Sequence, residues 1–303
     1  MFAALALHLL LLLAFPPLLI GVINRVKAIY GGRRGAPLLQ PYYDLWRLFR
    51  KSFLVSKSTS WVFLAGPVVG LGAVLLAGLL VPQGAQAAPI SFTGDIIMLL
   101  YLLGLARFFT ASAALDTASP FEGMGAAREV SFSCYAEPAL LLGFVALSRL
   151  SQSFSMSGIF SALHTGPETT LIAPLLLIGT SWFVVLLAEN CRIPFDDPNT
   201  HLELTMVHEV MVLDHSGPPF GMILYSAAMK LFISAALVAN LLLGRSKIVG
   251  IPGALMFAGV LIVIAIVIGL VESSMARLRF LSVPKLLASA CVLSGFGALL
   301  VMR

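Results

Sequence analysis

Ala188-Glu189-Asn190-Cys191-Arg192-Ile193-Pro194-Phe195-Asp196-Asp197-Pro198-Asn199-Thr200-His201-Leu202-Glu203 is the stretch that decides how this chain folds and what it handles. It lies between the end of one long apolar run and the start of the next. Charged side chains are costly at a bilayer and scarce in this sequence, so several acids at a helix exit require a reason. Proton or ion handling is the leading one. Pro194 and Pro198 break any continuous helix between Glu189 and Asn199. Glu189, Asp196, Asp197, Glu203, Glu209 and Asp214 therefore line a folded re-entrant or surface segment.

The composition around this stretch is that of a polytopic membrane protein. Of 303 residues, 59% are hydrophobic and 11% charged, and the mean hydropathy is +0.99. Soluble domains carry about a quarter charged residues. The first apolar run begins at Phe2 with no basic residue before it and no small-residue cleavage site, which predicts a retained span and not a signal peptide. The net charge of +5 does not point to nucleic acid, because the basic residues cluster beside membrane segments. Cys134, Cys191 and Cys291 show no C-x-x-C spacing, so no iron–sulfur cluster, structural zinc or other cofactor is expected in this chain.

A helix needs about 20 apolar residues to cross the hydrocarbon core. Such runs lie near 3–23, 61–81, 95–115, 131–150, 170–190, 217–243, 253–271 and 281–302. The fold class is an all-α integral membrane protein of eight transmembrane helices, one polytopic domain over 1–303. Pro16-Pro17 should kink the first span, and Gly66-Pro67 should disturb the start of the second. The loop 24–60 holds eight Lys/Arg against the single acid Asp44, which places it in the cytoplasm. Alternation adds 116–130, 191–216 and 272–280 to the cytoplasmic side and puts both termini outside. Arg245 and Lys247, in an outer loop, run against this orientation. Tyr42, Leu45, Trp46, Phe49 and Phe53 recur at helical spacing opposite Asp44, Arg47, Arg50 and Lys51, which predicts an amphipathic helix on the membrane surface. Such a helix serves as a lipid anchor or as a docking edge for a cytoplasmic partner.

Ionisable residues inside the spans are the next candidates. Arg107 falls roughly 12 Å and Glu137 about 10 Å from the cytoplasmic face, on successive helices, so the two are expected to interact. A static pair holding the helices in register is the alternative to an ion-handling role. Lys230 lies roughly 20 Å into the sixth span, where it must pair, snorkel or titrate. Glu189 and Glu272 sit at the inner ends of their spans, where interfacial solvation is an ordinary fate. From Asn199 onward, His201, Thr205, His208, Val212 and His215 share one helical stripe, fit for proton transfer or for packing under a partner. A zinc-protease motif fails because His208-Glu209 is followed by Val212 where histidine is required. Asp196-Asp197 hints at magnesium-dependent isoprenoid transfer, but no second acidic motif accompanies it.

Ala188-Glu189-x-x-Arg192-x-Pro194-Phe195-Asp196, then Glu203-Leu204 and Asp214-His215-Ser216-Gly217, resembles the loop between helices five and six of complex I subunit 1, the membrane subunit beside the quinone site. Gly35, Pro37, Gln40-Pro41 and Asp44 are similar to that family's first inner loop. Ala106-Arg107-Phe108-Phe109, Leu115-Asp116-Thr117-x-Ser119-Pro120-Phe121, Gly125-Ala126-x-Arg128-Glu129, Glu137-Pro138, Lys230 and Glu272-x-Ser274-Met275-Ala276-Arg277-Leu278-Arg279 resemble a narrower branch, the membrane subunit of formate hydrogenlyase and hydrogenase 4. Where complex I has two further glutamates, this chain has Asn199 and His201, which argues against carrying quinone binding over.

The resemblance implies an inner-membrane subunit of a prokaryotic redox complex. Its partners would be hydrogenase-like large and small subunits, a ferredoxin-like iron–sulfur subunit and antiporter-like membrane subunits. Those partners would carry the iron–sulfur clusters and a nickel–iron centre. Ion coupling would then fall on Glu137, Glu189, Asp196, Glu203 and Asp214, with Arg107 and Lys230 as charge partners. Arg33, Arg34, Asp44, Arg47, Arg128, Arg192, Arg277 and Arg279 would dock the cytoplasmic partner. The readings outside this one are a quinone-site subunit of complex I and a stand-alone secondary transporter, which the absence of an internal repeat disfavours.

Overall fold

The computed structural model describes residues 2–56, 58–163, 172–196, 206–244 and 248–302; Asp197, Asn199, His201, Glu203 and Thr205 lie outside them, as do Lys57, Arg245, Lys247 and Arg303. The first span is two helices, α1 (Phe2–Ala14) and α2 (Pro16–Tyr30), bent by 44° at Phe15. Pro16 and Pro17 supply no N–H, so the turn before them has unmatched carbonyls. Two tyrosines take up the slack: Tyr225 Oη donates to Leu13 O at 2.7 Å, and Tyr42 Oη donates to Ala14 O. The bend is thereby tied to a surface helix and to a core helix. α2 continues past the expected boundary at residue 23 and carries Arg25 and Lys27 out of the loop into its last turns.

The surface helix is α3 (Gln40–Phe49), amphipathic as expected but ending before Phe53. α4 (Trp61–Leu80) corrects a second expectation, since it runs unbroken through Gly66-Pro67. Proline at 67 frees the carbonyl of Phe63 four residues earlier. His215 Nε2 approaches that oxygen at 3.3 Å, and the imidazole stacks on the Phe63 ring at 3.9 Å. The defect is thus satisfied from outside the helix.

α5 (Asp95–Asp116) descends and α6 (Pro120–Ser151) returns. At 32 residues α6 is about 48 Å long and overruns a hydrocarbon core of about 30 Å. The expected loop 116–130 is therefore mostly helix. Pro120 is its first-turn proline, a position where the missing N–H costs nothing. A short α7 (Met156–Leu163) lies in the next connection. Then follow α8 (Ile172–Glu189), α9 (Gly217–Leu242), α10 (Ile251–Ser274) and α11 (Val283–Met302). Among the described residues, seven helices are long and apolar enough to span a membrane, and the bent α1–α2 pair makes an eighth.

α9 occupies the centre. It packs against α2, α3, α4, α8 and α10, while α11 closes on α6 and α8 and α10 on α2. Its apolar residues from Leu231 to Leu241 are buried nearly without exception. A lysine on such a helix has no route to lipid headgroups and must find its partners inside.

Candidate functional site

Four helices and one loop bring six ionisable groups into a chain. Arg107 on α5 is the first junction. Its Nη1 donates to Glu137 Oε1 at 2.6 Å, and its Nη2 donates to both oxygens of Glu189 at 2.8 and 2.9 Å. Lys230 on α9 meets Glu189 Oε2 at 2.9 Å and Glu129 Oε1 at 4.0 Å. His208 Nδ1 lies 3.6 Å from Glu129 Oε2. The order Glu137, Arg107, Glu189, Lys230, Glu129, His208 alternates in sign throughout. That alternation is what allows charge to be buried: each group offsets part of its neighbour's desolvation. Glu137 keeps 46% of its side chain exposed, on the open outer face of α6, whereas Glu189 and Glu129 are enclosed.

The sequence spacing explains the convergence. Glu129 and Glu137 are eight residues apart on α6, about 12 Å along its axis, and reach two different cations. Glu189 ends α8 and faces inward because Asn190 and Cys191 turn the chain there; Cys191 takes φ of 47°. Asn190 Nδ2 donates to Leu186 O and to Ser234 Oγ, which binds the turn to α9. Burial foremost, with the negative charges of Glu129 and Asp196 behind it, holds the Cys191 thiol well above its ordinary range, so it stays protonated. A cavity of about 310 Å³ opens beside the chain, with apolar walls from α2, α4 and α9 and with Asp44, Glu129, His208 and Lys230 among its lining.

Asp196 is placed differently from the expectation. It stands at the cavity's rim, where Oδ1 pairs with Arg277 at 2.8 Å and Oδ2 accepts from Val207 N at 2.8 Å. It fastens the loop after α8 to the loop after α10, and Leu278 N donating to Pro194 O at 2.9 Å reinforces the seam. Asp214 is exposed and Glu203 lies outside the described residues. The expected histidine stripe is broken: 209–212 is a single 3₁₀ turn, because Val210 and Met211 bury against Gly125 of α6. His208 consequently turns to Glu129 and His215 to Phe63. Burial chiefly lowers the His215 pKa, against a smaller opposing pull from the Phe63 carbonyl and Asp214.

Among the docking residues, Arg33, Arg34, Arg47 and Arg279 are exposed, and Asp44 accepts from Gln40 at 2.8 Å. Arg128 donates to Met206 O at 3.0 Å and lies over the Phe280 ring. Arg192 is a correction: it is buried against Glu272 at 3.4 Å, so its guanidinium cannot reach a docked partner. Glu272 also overturns its interfacial reading, for it is fully enclosed and holds Lys27 at 2.8 Å as well. Glu129 is the group that sequence reasoning passed over. Assigning 116–130 to a loop hid it, although Ser119-Pro120 is a helix-start signal that would have carried α6 back under it.

The NADH dehydrogenase family pattern matches residues 2–303. The chain belongs to that family, the family of complex I subunit 1. Formate hydrogenlyase subunit 4 of Escherichia coli (strain K12) is 31% identical over 294 residues, 95% of this chain and 93% of that relative. Hydrogenase-4 component C of the same organism is also 31% identical, over 89% of this chain and 86% of the relative. A chain from the structure of the membrane-bound sulfane sulfur reductase, an archaeal respiratory membrane complex, superposes with a TM-score of 0.83. The match covers 98% of this chain and 99% of the other at 21% identity, so the likeness is one of fold. Family and helices together make this a multi-pass membrane protein.

Proposed function

We propose that this chain is the membrane-anchoring, ion-coupling subunit of a multisubunit redox complex of the group 4 hydrogenase or formate hydrogenlyase kind. The observation that carries the proposal is the unbroken alternation of six charges from the open face of α6 to the loop after α8. The names of the relatives support the setting. In this reading a cytoplasmic arm of hydrogenase-like large and small subunits and a ferredoxin-like subunit docks on Arg33, Arg34, Arg47 and Arg279. Antiporter-like neighbours meet the face that presents Glu137. The single domain 1–303 lies in the cytoplasmic membrane with both termini outward.

The mechanism follows from coupling between neighbours. Electron transfer beside the inner loops changes the potential at Glu129 and His208. Because each member of the chain sets the charge balance of the next, proton occupancy then redistributes toward Glu137. Asp196 and Glu272 act as positioning residues that hold the loops around the cavity. The test is the assembled complex in sealed vesicles, with Glu129→Gln and Lys230→Met. Redox turnover should persist while the ion gradient per turnover falls at least tenfold; a parental gradient in both variants overturns the proposal.

The 310 Å³ cavity favours a second reading, a quinone-site subunit of the NADH:quinone oxidoreductase kind. The matching NADH-quinone oxidoreductase subunit from Syntrophotalea carbinolica is 28% identical over 86% of this chain. Turnover of the intact complex with a quinone as sole electron acceptor would select it.

A further inference from the structure

α9 carries a second set of positions that the charged chain does not use. Lys230, Ser234, Leu237 and Asn240 form one stripe along it, at steps of four, three and three residues. Ser234 sits one turn outward from Lys230. Directly beyond the charges lies a closed cavity of about 30 Å³ bounded by α5, α6, α8 and α9. Arg107, Glu189 and Lys230 form its inner floor, and Leu100, Trp182 and Leu237 stand about 10 Å further out on the same three helices, seven residues from each charge. A buried water needs roughly 10–15 Å³ of such space and two or more polar partners. Lys230, Ser234 and the buried Trp182 Nε1–H, which has no hydrogen-bond partner among the described residues, supply them. Trp182 is held in place by Gly143, where an added Cβ would lie 2.3 Å from that nitrogen.

Three residues beyond Leu237 begins a different environment. Asn240 is buried, yet its side chain receives Gly84 N at 2.9 Å and donates to Pro82 O at 2.8 Å. Gln83 Nε2 donates to His8 O, and His8 Nε2 contacts Gly78 O at 3.2 Å. A carbonyl only accepts, so His8 carries its hydrogen on Nε2 and presents a bare Nδ1. His8 Nδ1, Gln83 Oε1 and Gln86 Oε1 are buried acceptors without donors among the described residues. Buried polar groups in native proteins are satisfied, by water where protein fails. The leucine layer around Leu237 separates this cluster from the inner cavity, over about 4.5 Å of helix.

We propose that the subunit contains its own outward ion route, hydrated up to Lys230 from within and around Asn240 from without, with Leu237, Leu100, Leu103 and Leu140 as the dry seal between. This rests on the ion-coupling reading of the charged chain, but its assay runs without turnover, so the two fail separately. The passive decay of an imposed pH gradient would be followed in sealed vesicles carrying the assembled complex. Leu237→Asn should raise proton leak at least tenfold over the parent, Leu237→Phe should leave it unchanged, and Leu242→Asn on the exposed side of α9 should also leave it unchanged. Parental leak in an assembled Leu237→Asn complex, or equal leak from Leu242→Asn, overturns the proposal. Should Leu237→Asn not assemble, Leu237→Thr is read by the same criterion. A further readout needs no change at the seal. The chain has three tryptophans, and Trp46 and Trp61 are exposed, so Trp46→Phe/Trp61→Phe isolates Trp182. Its emission should be brightened by D₂O; emission insensitive to D₂O means a dry cavity and overturns the hydrated inner half.

Discussion

The inner and outer halves of this subunit bury polarity in opposite ways. The inner half uses full charges, each set beside one or two of opposite sign. The outer half uses amides, an imidazole and one aspartate, Asp95, fastened to backbone groups and serines: Asp95 accepts from Met156 N at 2.8 Å and from Ser155 Oγ at 3.0 Å. The first arrangement responds when one member changes charge, because every neighbour feels it. The second is a set of local staples on the connections 81–94 and 152–155. Sensitivity is concentrated where the chain faces the loops, and rigidity where it does not.

The largest expected break in this contrast is Glu189→Ala. It leaves Arg107 and Lys230 buried without their shared partner, and stranding one side of a buried pair costs about 3–5 kcal/mol. The yield of assembled complex should collapse, and Glu189→Gln should recover part of it; a parental yield from the alanine variant would mean the chain is not the cohesive element. Asp95→Ala should cost about 1.5–3 kcal/mol, the loss of hydrogen bonds to a charged group, without altering the ion gradient per turnover. A thermal melt checks the first half and a vesicle assay the second. For Arg107→Met and Glu137→Gln, a double-mutant cycle separates a relay from a static pair. The stability coupling should be about 0.5–3 kcal/mol in either case, but full ion coupling in the double variant would make the pair merely structural.

Smaller effects sharpen the edges. Tyr225→Phe removes one hydrogen bond at the α1–α2 bend and should lower stability by about 1 kcal/mol in a denaturation series. His215 supplies a pH signature. Its folded pKa lies below the ordinary 6.5, so its contribution is present above that pH and is lost as pH falls through the folded value. His215→Gln should flatten the acid side of a stability profile and leave the neutral side close to the parent.

Most of the architecture is legible in the sequence because hydrophobic length is a strong signal: the apolar runs coincide with the spans to within a turn or so at most ends. Depth arithmetic alone brings Arg107 and Glu137 to the same level. Two kinds of information stay hidden. Helix ends that protrude from the membrane look like polar loops, which conceals Glu129 between Arg128 and Val130. Long-range tertiary pairing is not periodic at all, so nothing local shows that Glu272 gathers Lys27 and Arg192, or that Asp196 reaches Arg277 rather than the central cations.

Pro67 leaves one further mark. By removing a donor from α4 it turns the Phe63 carbonyl into a socket, and the imidazole that plugs it is 152 positions away in the chain. Neither residue has a reason to persist without the other. Across descendants of this sequence, loss of the ring at 67 should be followed by loss of the plug at 215, a paired substitution visible in any sufficiently deep alignment.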